Sequence, residues 1–179
     1  MAIFPRLLVS ALALTASMSC ANAMNTSAYN GLVKESIQEI ITGNIKDLDA
    51  SLDRFQKEMQ IGIEGCREFA AADAKFAPLM KLVIESAEKM KTMKPDEIEA
   101  AWGDEGTAAD QIGMPLKSLD QFAIARNYLD SIVHPARAFA FFKAYGVSKD
   151  KQTLEEAKGE LVEVLQHVAK IEAYVTAAK

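Results

Sequence analysis

Near the C-terminus, Leu154, Ala157, Leu161, Val164, Val168, Ile171 and Val175 step 3-4-3-4-3-4 without a miss. That spacing lays an apolar seam along one side of a single helix, and such a seam requires an apolar partner. Three further stripes carry the same rhythm. They are Ile41, Ile45, Leu48, Leu52, Phe55, Met59; then Phe76, Met80, Val83, Ala87, Met90; then Phe122, Ala125, Leu129, Ile132, Ala136, Phe139. Sustained period-2 alternation, the mark of half-buried strands, is missing. The expected fold is all-α: an antiparallel four-helix bundle with one short extra helix and a long irregular loop.

Helix breakers place the boundaries. Ile61-Gly62-Ile63-Glu64-Gly65 is expected to bend or interrupt the first long segment. Lys94-Pro95-Asp96-Glu97 reads as a helix start, with proline in the first turn and acids suited to the dipole. Gly146 followed by Ser148 reads as a stop and a fresh N-cap. The final helix, 150–178, spans about 43 Å at ~1.5 Å per residue. Between them lies WGDEGTAADQIGMP, residues 102–115, whose three glycines and proline forbid a clean helix. Its acids Asp104, Glu105 and Asp110 do not follow the spacing of an EF-hand loop, and a loop plugged by Trp102 is the simpler reading.

The first 23 residues read as a leader rather than as part of the fold. Arg6 forms a basic start, Leu7 to Ala16 is apolar, and Ala21-Asn22-Ala23 is a small-x-small cleavage pattern. The apolar run is too short to span a bilayer. A signal peptide over 1–23 leaves one domain over 24–179, in the periplasm or secreted. Cys20 offers lipidation instead, but Ser17-Met18-Ser19 lacks the usual large apolar residue before it. Removing Arg6 with the leader moves the net charge from −5 to about −6. No basic block exists, so nucleic acid and anionic membrane are poor partners. Cys66, alone after cleavage, continues the seam through Met59 and is expected to be a buried, inert thiol.

Several chemistries have no motif. There is no Cys-x-x-Cys-His for covalent haem, no Glu-x-x-His of di-iron bundles, no phosphate loop and no His-Glu-x-x-His. No nucleophile–base pair can be assembled, so the reading leans away from an enzyme.

The two histidines head the candidates. Asn127, Asp130, His134, Arg137 and Phe141 form one helical stripe, with Asp130 placed to hold the His134 imidazole. Pro135 cannot donate to the Ser131 carbonyl, so a kink or restart is expected there. Phe139, Phe141, Phe142 and Tyr145 point in too many directions for a helix with one wet face. The Trp102–Pro115 loop, or a second copy in a homodimer, is the expected cover. A second stripe holds Glu160, Glu163, His167, Lys170 and Tyr174, with Glu163 one turn before His167.

His134 with Arg137 at +3, Ala138 at +4 and Ala140 at +6 resembles the phospho-accepting helix of histidine phosphotransfer domains, also four-helix bundles. Arg137 in place of lysine and Pro135 beside the histidine depart from that pattern, and a phosphorelay is not expected. The bundle is similar in architecture to b-type cytochromes, with no motif behind the likeness. Met59, Met80 and Met90 fall on core seams, where filling gaps is their simplest role.

The leading expectation is an exported binding or interaction module, without a cofactor, for an unknown protein or small ligand. Its expected site is Asn127, Asp130, His134 and Arg137, beneath Trp102. The alternative is a metal- or non-covalent haem-binding bundle using His134, His167 and Glu163 or a methionine.

Overall fold

The structure, a computed structural model, describes residues 24–119 and 124–177. The expected leader over 1–23, Cys20 within it and Phe122 of the fourth stripe lie outside those residues. Six helices pack together: α1 (Thr26–Thr42), α2 (Leu48–Ala72), α3 (Ala77–Met90), α4 (Pro95–Trp102), α5 (Ile124–Ser148) and α6 (Lys151–Ala177). No strand occurs among the described residues.

Cross-helix partners give the topology. Ser36 meets Glu58 and Glu39 meets Ser51, so α1 and α2 run antiparallel. Cys66 bonds the Tyr128 carbonyl while Phe55 packs on Phe142, so α2 and α5 are antiparallel too. His134 meets Glu160 and Asn127 meets His167, giving the same relation for α5 and α6. Contact between α1 and α6, including Asn30 to Glu172, closes the ring. The four-helix bundle is therefore α1, α2, α5 and α6, with α3 and α4 inserted between α2 and α5 and packed against their sides.

This corrects which segments make the four. The stripe from Ile41 to Met59 is not one helix. Gly43 adopts φ 62° and ends α1, Asp47 caps α2 by accepting from the Ala50 N–H, and Ile41 is left 64 % exposed. The buried face of α1 is instead Tyr29, Val33, Ser36 and Ile40. Conversely, the Gly62–Gly65 region does not interrupt α2, which runs unbroken through it. A Cβ on Gly62 would stand 2.4 Å from the Ser131 carbonyl oxygen, so this glycine serves close helix approach. Gly146 likewise does not stop α5, which continues to Ser148; its missing Cβ makes room for Leu48.

Of the kink or restart expected at Pro135, the restart does not occur, since α5 is continuous across it. The Ser131 carbonyl, denied its donor by the proline ring, accepts a 2.6 Å hydrogen bond from the Tyr29 hydroxyl of α1. Trp102 closes α4 at 3 % exposure, and the loop after it carries short 3-10 turns at Asp110–Ile112 and Leu116–Ser118.

Candidate functional site

Helix α5 is buried on almost every side from Ala125 to Ala140. Its histidine face is covered by other helices of the same chain. α6 lies along that face, and α4 contributes Glu99 at its edge. The two polar stripes of the sequence, one on α5 and one on α6, thus meet at one interface.

Their pairings differ from those the helical spacing suggests. Asp130 does not hold His134. Arg126, one turn earlier, donates from Nε to Asp130 Oδ2 at 2.9 Å, while His134 Nδ1 lies 2.8 Å from Glu160 Oε2. Glu163 does not join His167 either; its carboxylate lies 3.6 Å from His134 Nδ1. His167 Nδ1 is instead 2.8 Å from Asn127 Oδ1 on α5. In each case the partner across the interface takes the place of the neighbour on the same helix. The two imidazoles stack at 5.1 Å between centroids, with ring planes 18° apart.

Each ring therefore has one nitrogen committed to an oxygen acceptor. Nδ1 of His134 donates to Glu160, and Nδ1 of His167 donates to the Asn127 amide oxygen, which cannot itself donate. On His167 this leaves the Nε2 lone pair, 3.5 Å from Asp130 Oδ2. Asp130, His134 and His167 each offer a donor atom, all within 4.8 Å of one another. Asp130 is 2 % exposed, and its Oδ1 has no hydrogen-bond partner. His134, Glu160 and Glu163 form a second group of the same compactness, but Arg137 bridges Glu160 to Glu99 at 2.9 and 2.8 Å.

A cavity of about 200 Å³ opens onto the cluster, lined by Asp130, His134 and His167 and by the charged ends of Glu99, Arg137, Asp104, Arg126, Glu163 and Lys170. Four carboxylates face three fixed cations there, so a small cation is not repelled by the lining. Trp102, expected over the site, does not line this cavity; the adjacent Gly103 and Asp104 do. Met59, Met80 and Met90 are buried in the core away from this cavity, and its charged walls do not suit haem.

Electrostatics set the two rings apart. Burial disfavours the His134 cation, but the Glu160 hydrogen bond and the charges of Asp130 and Glu163 outweigh it and hold the imidazole above its ordinary value. Burial, then the charge on His134, then Lys170 and Arg126 push His167 down to about 3. The pair thus favours the cation on His134 over His167, whose ring stays neutral with its lone pair available. Burial also raises the Asp130 carboxyl, against the pull of His134 and Arg126. Cys66 is fully buried, bonded to the Tyr128 carbonyl, and burial drives its thiol far up, so it is inert as expected.

Comparison of the chain with protein families, curated proteins and solved structures finds no match to any of them. The functional reading accordingly rests on the geometry of the α5–α6 cluster.

Asn127, Asp130, His134, Arg137, His167 and Glu163 are all brought to one interface. Sequence reasoning missed Arg126 and Glu99 as members of it. Arg126 could have been found, because it stands four residues before Asp130 on one helix. Nothing local in the sequence marks Glu99.

Proposed function

We propose that this protein is an exported metal-binding module that holds one divalent first-row transition ion between α5 and α6. His134 and His167 supply imidazole nitrogens and Asp130 a carboxylate oxygen. The observation that carries this reading is the fixing of both rings by their Nδ1 atoms, on Glu160 and Asn127, beside a buried Asp130 oxygen without a partner. Metal-bound histidines are held in this way, by a carboxylate or amide acceptor on the nitrogen facing away from the ion. Two ligands about 2.1 Å from zinc at a tetrahedral angle stand about 3.4 Å apart. His167 Nε2 and Asp130 Oδ2 are separated by 3.5 Å.

Imidazole with carboxylate suits zinc, copper, nickel or iron and disfavours calcium and magnesium. Three protein donors leave a coordination position facing the cavity, open to water or a small ligand. Export is supported by the leader pattern ending at Ala21-Asn22-Ala23.

Calorimetric titration of chelator-stripped protein with zinc tests the reading. One equivalent binds, and His167→Ala and Asp130→Asn each weaken binding at least tenfold. Binding unchanged in both variants, or no binding by the wild type, contradicts it.

A further inference from the structure

At the far end of α2, Met24 is packed as a core residue although it immediately follows the expected cleavage point. It is 4 % exposed. Its side chain fills the notch left by Gly65, where any Cβ would come 2.9 Å from the Met24 sulfur. Met24 also turns the chain into α1: its carbonyl accepts from the Thr26 N–H at 2.7 Å, and Asn25 caps the helix by accepting from the Ala28 N–H. The position of its nitrogen is therefore fixed by packing on one side and by a helix start on the other.

That nitrogen faces the Glu68 carboxylate and favours its charged form. Glu68 Oε2 is enclosed and has no hydrogen-bond partner. Glu64 stands one turn earlier on the same helix, and neither carboxylate is paired with a lysine or arginine among the described residues. Two like charges one helical turn apart repel. A single peptide N–H offers one donor and no charge to this arrangement, whereas an α-ammonium offers three donors and a full positive charge.

We infer that cleavage between Ala23 and Met24 is a structural step, and that the α-ammonium it creates pairs with Glu68 and pins the start of α1 to α2. The inference rests on the leader reading. Hydrolysis by an export peptidase breaks the Ala23–Met24 amide. Water supplies the oxygen that completes the Ala23 carboxylate on the released leader. Met24 keeps its nitrogen as an amine, which is protonated at neutral pH because free α-amines titrate near 8. Met24 is already seated, so the charge appears beside the Glu68 carboxylate.

The experiment has two arms. Intact mass and N-terminal sequencing of protein recovered from the cell envelope or medium should show a chain beginning at Met24. A chain beginning at a lipidated Cys20, or at any residue other than Met24, overturns the cleavage position. In the second arm, Glu68→Gln is compared in the processed chain and in the full-length chain that keeps its leader. The substitution should lower Tm by about 2–4 °C in the processed form only. Labelling of the processed α-amine by an amine-reactive reagent at pH 7 should be several-fold faster in Glu68→Gln than in the wild type. Equal Tm shifts in the two forms, or unchanged labelling, overturn the ion pair while leaving the cleavage position standing.

Discussion

His134 and His167 stack on each other, yet they differ in their readiness to bind a metal. His167 is neutral, because burial and the neighbouring His134 charge hold it at about 3. His134 keeps a proton above its ordinary value, because Glu160, Asp130 and Glu163 surround the cation. A coordinating imidazole must give that proton up. Zinc binding should therefore release a proton from His134 wherever the free protein still holds that ring charged. Calorimetry in two buffers of different ionisation enthalpy checks this, and affinity should fall as pH drops through the acidic range. Glu160→Gln removes the strongest support for the His134 cation, so proton release at pH 7 should decrease.

A second buried carboxyl, away from the cluster, controls stability rather than binding. Burial pushes Glu58 up to about 8, against the Ser36 hydrogen bond and the Arg54 charge that pull it down. Its Oε2 is buried without a partner, as suits a protonated acid. Below pH 4 both folded and unfolded chains hold this proton, and the stabilising preference of the fold for it is fully present. As pH rises from about 4.5 to 8 the unfolded chain loses the proton and the folded chain retains it. That difference removes stability by up to ~1.4 kcal/mol per pH unit across the window, and the loss is complete above 8. Glu58→Gln should flatten this dependence. Urea denaturation should show the variant gaining more over wild type at pH 8.5 than at pH 5.

At the scale of the element, the continuity of α5 across Pro135 depends on α1. Tyr29 supplies the donor that the proline withholds from the Ser131 carbonyl. Tyr29→Phe should cost about 1–3 kcal/mol in chemical denaturation, the penalty for a buried acceptor left unpaired. Zinc stoichiometry should be unchanged, since Tyr29 does not touch the cluster.

The same element shows what a sequence can and cannot disclose. The α6 seam was legible because all of its apolar positions face one way, and helix α4 was legible from Pro95 and its acids. The unbroken α5 was not, because its continuity rests on a hydroxyl 102 residues away. Gly62 read as a breaker for a similar reason: a glycine that ends a helix and one that admits a neighbouring backbone look alike in one dimension. Both histidine stripes were visible from spacing. Their pairing was not, because helical spacing ranks partners one turn away, while packing placed Glu160 and Asn127 closer than Glu163 and Asp130.

For the whole molecule, the candidate site joins the last two helices of an antiparallel ring. An ion held there ties α5 to α6 in the folded state and has no assembled site in the unfolded chain. Saturating zinc at one hundred times its Kd should stabilise the fold by about 2.7 kcal/mol, which corresponds to a Tm rise of several degrees. Differential scanning calorimetry checks this, and Asp130→Asn should abolish most of the rise. Methionine and cysteine take no part in this account, since Cys66 and the core methionines are packed elsewhere. X-ray absorption at the zinc edge, on protein loaded with one equivalent, tests the claim most directly. Two imidazole nitrogens with oxygen completing the shell is the predicted result; a sulfur ligand, or a shell with fewer than two imidazoles, would contradict it.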